Sequence, residues 1–324
     1  MRTTWALLVI VILSLTAGAT AAQSADGPFL GGAGGDHDVG ALRIHQERAA
    51  ESNLSDLIAA TPDGATLTLS GEHEVSAVTE VADRHNLTVE GDGTAVVRQR
   101  DPGREGNKVF LVTGGSNITF RGFEIAGANP EAGNAEGAYR AETALGSAIA
   151  VKGTRGIRIE GMNIHDAWGD FVDLDKGPAS SPETTEVVIS GNTFRRNGRQ
   201  GVSISRRVSD VRIEDNRVSD VRRSVFDIEH AQVVVGIDIV GNRVDNYRRS
   251  LLFVGRGGDV SNLSVIGNTV TGPGPAGRRS PNLVEILSRD PANPVRGVVV
   301  CDNLVDTDLD VLDMAGAVDV TMTC

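Results

Sequence analysis

The 324-residue chain is short of aromatic side chains, at 4%, and shorter still of lysine, which occurs only at Lys108, Lys152 and Lys176. So few rings exclude an aromatic-rich core and fit narrow layers filled by Val, Ile and Leu. Positive charge is in deficit: 31 Lys and Arg stand against 43 Asp and Glu, a net charge of −12. That balance argues against nucleic acid as a partner, because phosphate binding needs a dominant basic face. Cysteine is limited to Cys301 and Cys324. No Cys–His grouping has zinc-ligand spacing, so no metal site is expected. In an exported chain the two cysteines permit a disulfide that pins the C-terminal strand, with two separate thiols as the alternative. Long apolar runs are missing beyond the N-terminus, so no other stretch can span a bilayer.

The N-terminus itself reads as an export signal over residues 1–22. Met1-Arg2 gives a positive start, Trp5 to Leu15 an apolar core, and Ala19-Thr20-Ala21 or Thr20-Ala21-Ala22 a small-residue cleavage site. An uncleaved anchor is the alternative, but the core falls short of the roughly 20 apolar residues a spanning helix needs. The mature protein is therefore expected to be soluble and secreted. Residues 23–47 are Gly-rich and aperiodic, a flexible leader. Residues 48–324 read as one elongated domain. Near its start, Ser52 offers a helix cap before Leu54, Leu57 and Ile58, and a Pro-Asp-Gly turn follows at Pro62–Gly64. A short helix there would cover the exposed edge of the first layer.

What the chain has in abundance is repetition. EVVISGNTFRRNGRQGVSIS, DVRIEDNRVSDVRRSVFDIE and GIDIVGNRVDNYRRSLLFVG are copies of one unit, with corner asparagines at Asn192, Asn216 and Asn242. Each copy holds an alternating apolar strand, a Gly-Asn or Asp-Asn corner, a short second strand, a basic loop and a third strand. A fixed period in this range marks a stacked-repeat architecture. No unit has room for a crossover helix, and the similarity recurs once per three strands rather than once per hairpin. The expected fold is all-β: a single-stranded right-handed parallel β-helix of about eight coils with a short N-terminal capping helix. The 39 glycines suit its tight corners. The corner asparagines, here taken to include Asn163, Asn268 and Asn303, are expected to bond one another along the axis as a structural ladder.

These repeats resemble the pectate-lyase-like β-helix superfamily. GDFV (Gly169–Val172), GRQG (Gly198–Gly201) and FDIE (Phe226–Glu229) further resemble a group of secreted bacterial β-helix proteins with GDFV, GRQG and DLEP motifs on successive coils and no settled reaction. The resemblance spans roughly residues 55 to 324 and implies the fold. It departs from the group at His230, where the last motif usually ends in Pro.

Aligning the inward pairs of the third strand leaves one outward column of Ala150, Asp173, Ser203, Asp227 and Phe253, and a second of Lys152, Asp175, Ser205, Glu229 and Arg256. Asp173 and Asp227 are then two strand spacings apart, about 9–10 Å at Cα. Two carboxylates at roughly 6.5–9.5 Å suit an inverting glycosidase, one protonating the leaving oxygen while the other activates water. Asp173 and Asp227 form the first candidate pair and Asp175 and Glu229 the alternate, on what reads as an exposed face. Arg199, Arg223 and Arg249 align as a basic column beside Asp170, Gln200, Ser224 and Ser250. Either the acids neutralise these arginines or the arginines grip anionic groups on a polymer. Tyr139 and Arg140, in the long insertion 126–146, are candidates to stack on and hydrogen-bond a sugar. His165 reads as a hydrogen-bonded turn histidine, with a proton shuttle as the sharper alternative.

The leading expectation is a polysaccharide hydrolase, monomeric and needing no cofactor. A lyase or uronate epimerase is the alternative. Its Arg or Lys base would be Lys152, Arg199 or Arg223, and the Asp173/Asp175 region would hold calcium. A glycan-binding scaffold protein is the non-enzymatic alternative.

Overall fold

The computed structural model describes residues 43–45, 54–100, 108–134, 140–255, 257–273, 282–287, 293–306, 312–314 and 316–324. Residues 1–22, expected to be a signal peptide, most of the expected leader, Ser52, Tyr139 and Arg256 lie outside the described residues. All described residues belong to one compact unit, Ala41–Cys324.

The chain winds as a coil of three short strands per turn, and every strand pairing along it is parallel. Ile149–Lys152, Arg155–Glu160 and Asn163–Ala167 make one turn, and Val172–Asp175 starts the next directly beneath the first of them. The first and second strands of each turn build two faces of one continuous sheet, and the third strands stack into a nine-stranded sheet. In Val202–Glu214 and Phe226–Val240 the first and second strands merge, with a register irregularity after Ser205.

Alternation directs one set of side chains inward, as the sequence pattern requires. On the first face Val172, Val202, Phe226, Leu252 and Val284 stack in register. All five are essentially inaccessible. The few aromatics are spent inside: Phe110, Phe120 and Phe123 cluster edge to face, and Phe171 stacks on Phe194 at 5.1 Å.

The corners dictate the composition. Where the second strand opens the chain passes through the left-handed region at Asn117, Gly156, Glu186, Asp210, Gly236, Asn262 and Gly297, and in several coils it does so just before as well, at Gly115, Gly153, Arg206 and His230. Before the third strand it does so again at Gly191, Asp215, Gly241 and Gly267. β-branched residues resist that conformation; Gly, Asn and Asp tolerate it. The asparagine after this second corner turns inward. Asn192, Asn216, Asn242 and Asn268 each donate Nδ2 to Oδ1 of the next at 2.9–3.0 Å, ending on Asn303. Asn163 is not in this ladder. Its place is taken by Met162, whose N–H donates to Asn192 Oδ1 at 2.8 Å, while Asn163 lies one residue on and donates to Glu124.

The helix Leu54–Ala60 buries Leu54 and Ile58 in the same core. Arg84 from the first coils caps its end by donating to the carbonyls of Ile58 and Thr61. A strand at Arg43–His45 pairs with Thr66–Thr68, so ordered pairing reaches back before residue 48. At the other end Cys301 and Cys324 are joined, Cα atoms 5.8 Å apart, which resolves the choice between disulfide and free thiols. No helix among the described residues is long and apolar enough to cross a membrane.

Candidate functional site

The GDFV and GRQG motifs sit where the nine-stranded sheet turns into the first face. Their glycines are steric: a Cβ on Gly198 would lie 1.9 Å from the Trp168 carbonyl oxygen, and one on Gly201 2.3 Å from that of Val225. The close approach fixes Arg199 and Gln200 between them. Arg199 Nη1 donates to Asp170 on the coil before it at 2.9 Å, and its Nη2 reaches Glu229 on the coil after it. The Gln200 N–H donates to Asp170 Oδ1 at 2.8 Å, and Gln200 Oε1 accepts the Ser224 N–H at 3.3 Å.

The sequence reading placed four carboxylates on an exposed face. The structure corrects this. Asp170 and Asp227 are each 1% exposed and Asp175 is 5% exposed. Lys108, Arg199 and Arg206 stand beside this face, and Leu145 at the end of the insertion shares the hollow with them. Asp175 is gripped by both ends of the Arg206 guanidinium, and Glu229 by Arg199. Asp173 is half-buried. Asp227 differs from Asp170, Asp175 and Glu229: among the described residues neither of its carboxylate oxygens has a hydrogen-bond partner. The Ser203 and Ser224 hydroxyls and Gln200 Nε2 around it are likewise buried without a partner. Ser203 is Asp227's register partner on the adjacent strand, so the expected column is correct.

Burial dominates the electrostatics. It pushes the Asp227 carboxyl up to about 6 against the pull of Arg199, Arg223 and Arg249, with Glu285 adding to the rise. It pushes Asp170 up to about 7, opposed by Arg199 and reinforced by Asp173 and Asp227. Asp173 is also raised by burial, with Lys152 and Lys108 pulling it back.

In front of these groups lies a hollow of about 280 Å³, walled by Lys108, Lys152, Asp173, Arg199, Ser203 and Arg206, with Leu145, Glu229 and His230 at its edge. Lys108 was not singled out in the sequence. It is nearly buried and donates Nζ to the Leu145 carbonyl at 3.0 Å. Burial, then the neighbouring Lys152, lowers its pKa. The signal was present: stepping the Asp170–Gln200–Ser224 column back two coils through Ser147 arrives at Lys108. Glu285 was also missed. It accepts Arg249 Nε and Nη2 at 3.1 Å and Ser250 Oγ at 2.9 Å, holding Arg249 over the Phe253 ring. The partners that neutralise Arg199 and Arg249 are thus Asp170, Glu229 and Glu285.

Arg223 belongs to the same column, its N–H donating to the Arg199 carbonyl at 3.0 Å. Arg140 lies away from the hollow, paired with Glu131 at 2.6 Å. The insertion that carries it is anchored to the nine-stranded sheet by Arg222, which donates to the carbonyls of Glu131 and Gly133. His165 is hydrogen-bonded between Asp166, at 2.8 Å, and Glu124, at 3.2 Å. A larger hollow of about 390 Å³ on the second face is lined by charges that pair locally, Arg158 with Glu160 and Arg212 with Glu214, and by no unpartnered buried group.

No curated protein sequence matches the chain. Among solved structures it is similar to PfbA, a surface adhesin of Streptococcus pneumoniae, at 11% identity and a TM-score of 0.57, over 79% of this chain and 74% of that one. It is more distantly similar to endo-xylogalacturonan hydrolase from Aspergillus tubingensis, at 8% identity and a TM-score of 0.39, over 83% and 94% of the two chains. DFA-IIIase from Arthrobacter chlorophenolicus A6 stands at 15% identity and 0.38, over 83% and 87%. At 11% identity the likeness to PfbA speaks to fold and not to function. The family described as "Right handed beta helix region" matches residues 79–279, and the chain belongs to it.

Proposed function

We propose that this is an exported carbohydrate-active protein that hydrolyses a polysaccharide in the hollow on its first face. The Cys301–Cys324 disulfide supports an oxidising compartment. The observation that carries hydrolysis is Asp227: a buried carboxylate without a hydrogen-bond partner among the described residues, in register through Ser203 with Asp173, which lines the hollow. A buried carboxylate left unpartnered is costly unless another group supplies its hydrogen bonds.

In this reading Asp227 is the base and Asp173 the acid. Water attacks the anomeric carbon and Asp227 takes its proton. The glycosidic C–O bond breaks, and Asp173 gives its proton to the departing sugar oxygen. The two-coil separation of about 9–10 Å leaves room for the water and corresponds to inversion. Lys152, Arg199 and Arg206 contribute substrate contacts at the wall, while Arg223 and Arg249 bias the charge of Asp227.

A second reading has its own observation. Lys108, with its lowered pKa beside Lys152, is suited to take the C5 proton of a uronic acid whose carboxylate the second lysine holds. Calcium does not fit this version: Asp175 is taken by Arg206, and Lys152, its register partner, repels a cation. A screen of the mature protein against neutral and uronic-acid polysaccharides separates the readings. New reducing ends without ultraviolet absorbance, abolished by Asp227→Asn with binding retained, are expected. An absorbing unsaturated product, lost in Lys108→Met, would replace hydrolysis by elimination. Silence on every polymer, with glycan binding unaffected by Asp227→Asn, would leave a binding protein.

A further inference from the structure

We infer that Gln200, Ser203, Ser224 and Asp227 enclose a binding site for one long-lived water molecule, and that this water is what Asp227 presents to the hollow. Only the water's role as nucleophile rests on the hydrolase reading; the site itself does not.

The four residues form a square on two adjacent coils. Gln200 and Ser224 occupy one column, joined by the bond from the Ser224 N–H to Gln200 Oε1 at 3.3 Å. Ser203 and Asp227 are register partners in the next column. All four side chains are at most 1% exposed. Among the described residues five polar atoms of this square have no hydrogen-bond partner: Gln200 Nε2, Ser203 Oγ, Ser224 Oγ and both oxygens of Asp227. Unsatisfied polar atoms are few in folded proteins and rarely cluster. Here donors and acceptors occupy neighbouring columns of two adjacent coils, and a buried water needs a set of two to four polar partners. Gln200 Nε2 is a donor, a carboxylate oxygen an acceptor and a serine hydroxyl either, so one molecule can satisfy most of the square.

The square also explains how a sealed acid can act. Asp227 does not line the hollow, whereas Ser203 does. A group passing between Asp227 and a sugar must therefore pass Ser203. A water held by Ser203 Oγ and Asp227 stands at that crossing, oriented before the substrate arrives, and Asp227 takes its proton without meeting the sugar. Gln200 and Ser224 are then positioning residues.

The test counts long-lived internal waters by oxygen-17 magnetic relaxation dispersion on the full mature chain. Ser203→Val fills the crossing with a side chain suited to a strand; Ser203→Ala opens it without filling. The expected result is loss of one long-lived water from the dispersion amplitude in Ser203→Val, with unchanged thermal unfolding cooperativity. Ser203→Ala should keep a water that exchanges faster. An amplitude identical in parent and Ser203→Val overturns the inference. On a polymer that the parent cleaves, Ser203→Val should lower kcat about 100-fold with KM nearly unchanged, the pattern for loss of a group needed only in the transition state. If Ser203→Val loses the water but the parent cleaves no polymer, the water site stands and the hydrolase reading fails. Should Ser203→Val refold poorly, Gln200→Leu at the opposite corner gives the same readout.

Discussion

At the scale of a residue, Asp227 sets a conflict between function and stability. Its pKa rises from 3.8 to about 6 because the coil buries it, despite Arg199, Arg223 and Arg249 nearby. A carboxyl raised by folding binds its proton more tightly in the folded state. Its contribution is complete below about pH 3.8 and is lost as pH climbs through about 6, a change of about 3 kcal/mol. Asp227→Asn removes this dependence. Urea unfolding of parent and variant at pH 4 and pH 8 is expected to show the parent losing about 2 kcal/mol more than the variant over that span. Asp170, also raised, is present in both; the part of its rise that Asp227 supplies is lost in the variant and adds to the difference in the same direction. Equal losses would mean that Asp227 is open to bulk solvent when folded and that the seal is not real. Sequence revealed the column and not the seal. The alternation of Val202-Ser203-Ile204 and Phe226-Asp227-Ile228 fixes which residues face outward. Whether outward means exposed depends on how Arg199, Arg206 and the Leu145 end of the insertion stand beside the face, and the repeat period does not encode that.

At the scale of an element, two asparagines that look alike in sequence do different work. Gly191-Asn192 and Gly161-Met162-Asn163 both follow a left-handed corner glycine, but in the second case the asparagine is displaced by one residue. One step along a strand exchanges inside for outside, so Asn163 reaches Glu124 on the surface while Asn192 enters the ladder. The sequence pattern alone merged them because it weighed residue type above distance from the corner. Asn242→Ala would strand the Asn216 N–H and Nδ2, at 3.0 and 2.9 Å from Asn242 Oδ1, and the Ile213 carbonyl, at 2.9 Å from Nδ2. With buried groups costing about 1–3 kcal/mol each, the loss should reach about 3 kcal/mol or more. Asn163→Ala gives up one half-exposed contact and should cost under about 1 kcal/mol. Denaturant midpoints compare the two; similar shifts would show that the ladder is decoration. The helix and the coil, by contrast, were readable in outline because the apolar spacing of Leu54, Leu57 and Ile58 and the three-strand repeat each recur without competing signals.

At the scale of the molecule, the two ends are finished differently. The first coils are covered by the helix Leu54–Ala60 and tied by Arg84. At the far end, Val320 and Met322 continue the inward columns of Val298 and Val300 but are 36% and 46% exposed, so the described core ends without a full cover. The Cys301–Cys324 bond closes a 23-residue separation across this end. Closing a loop of that length stabilises by about 3 kcal/mol in the chain-entropy account. In a stacked coil each layer contacts only its neighbours, so the effect should stay local. Reduction, or Cys324→Ser, is expected to speed hydrogen exchange roughly 100-fold in Ala317–Thr321 and in the adjoining Val295–Cys301, a factor that corresponds to about 3 kcal/mol. Amides of Val211–Glu214 and Ile237–Val240, several coils away and inside the asparagine ladder, should keep their parent rates. Uniform acceleration would instead mean that the coil unfolds as one cooperative unit from its C-terminal end, and that the disulfide guards the site as well as the terminus.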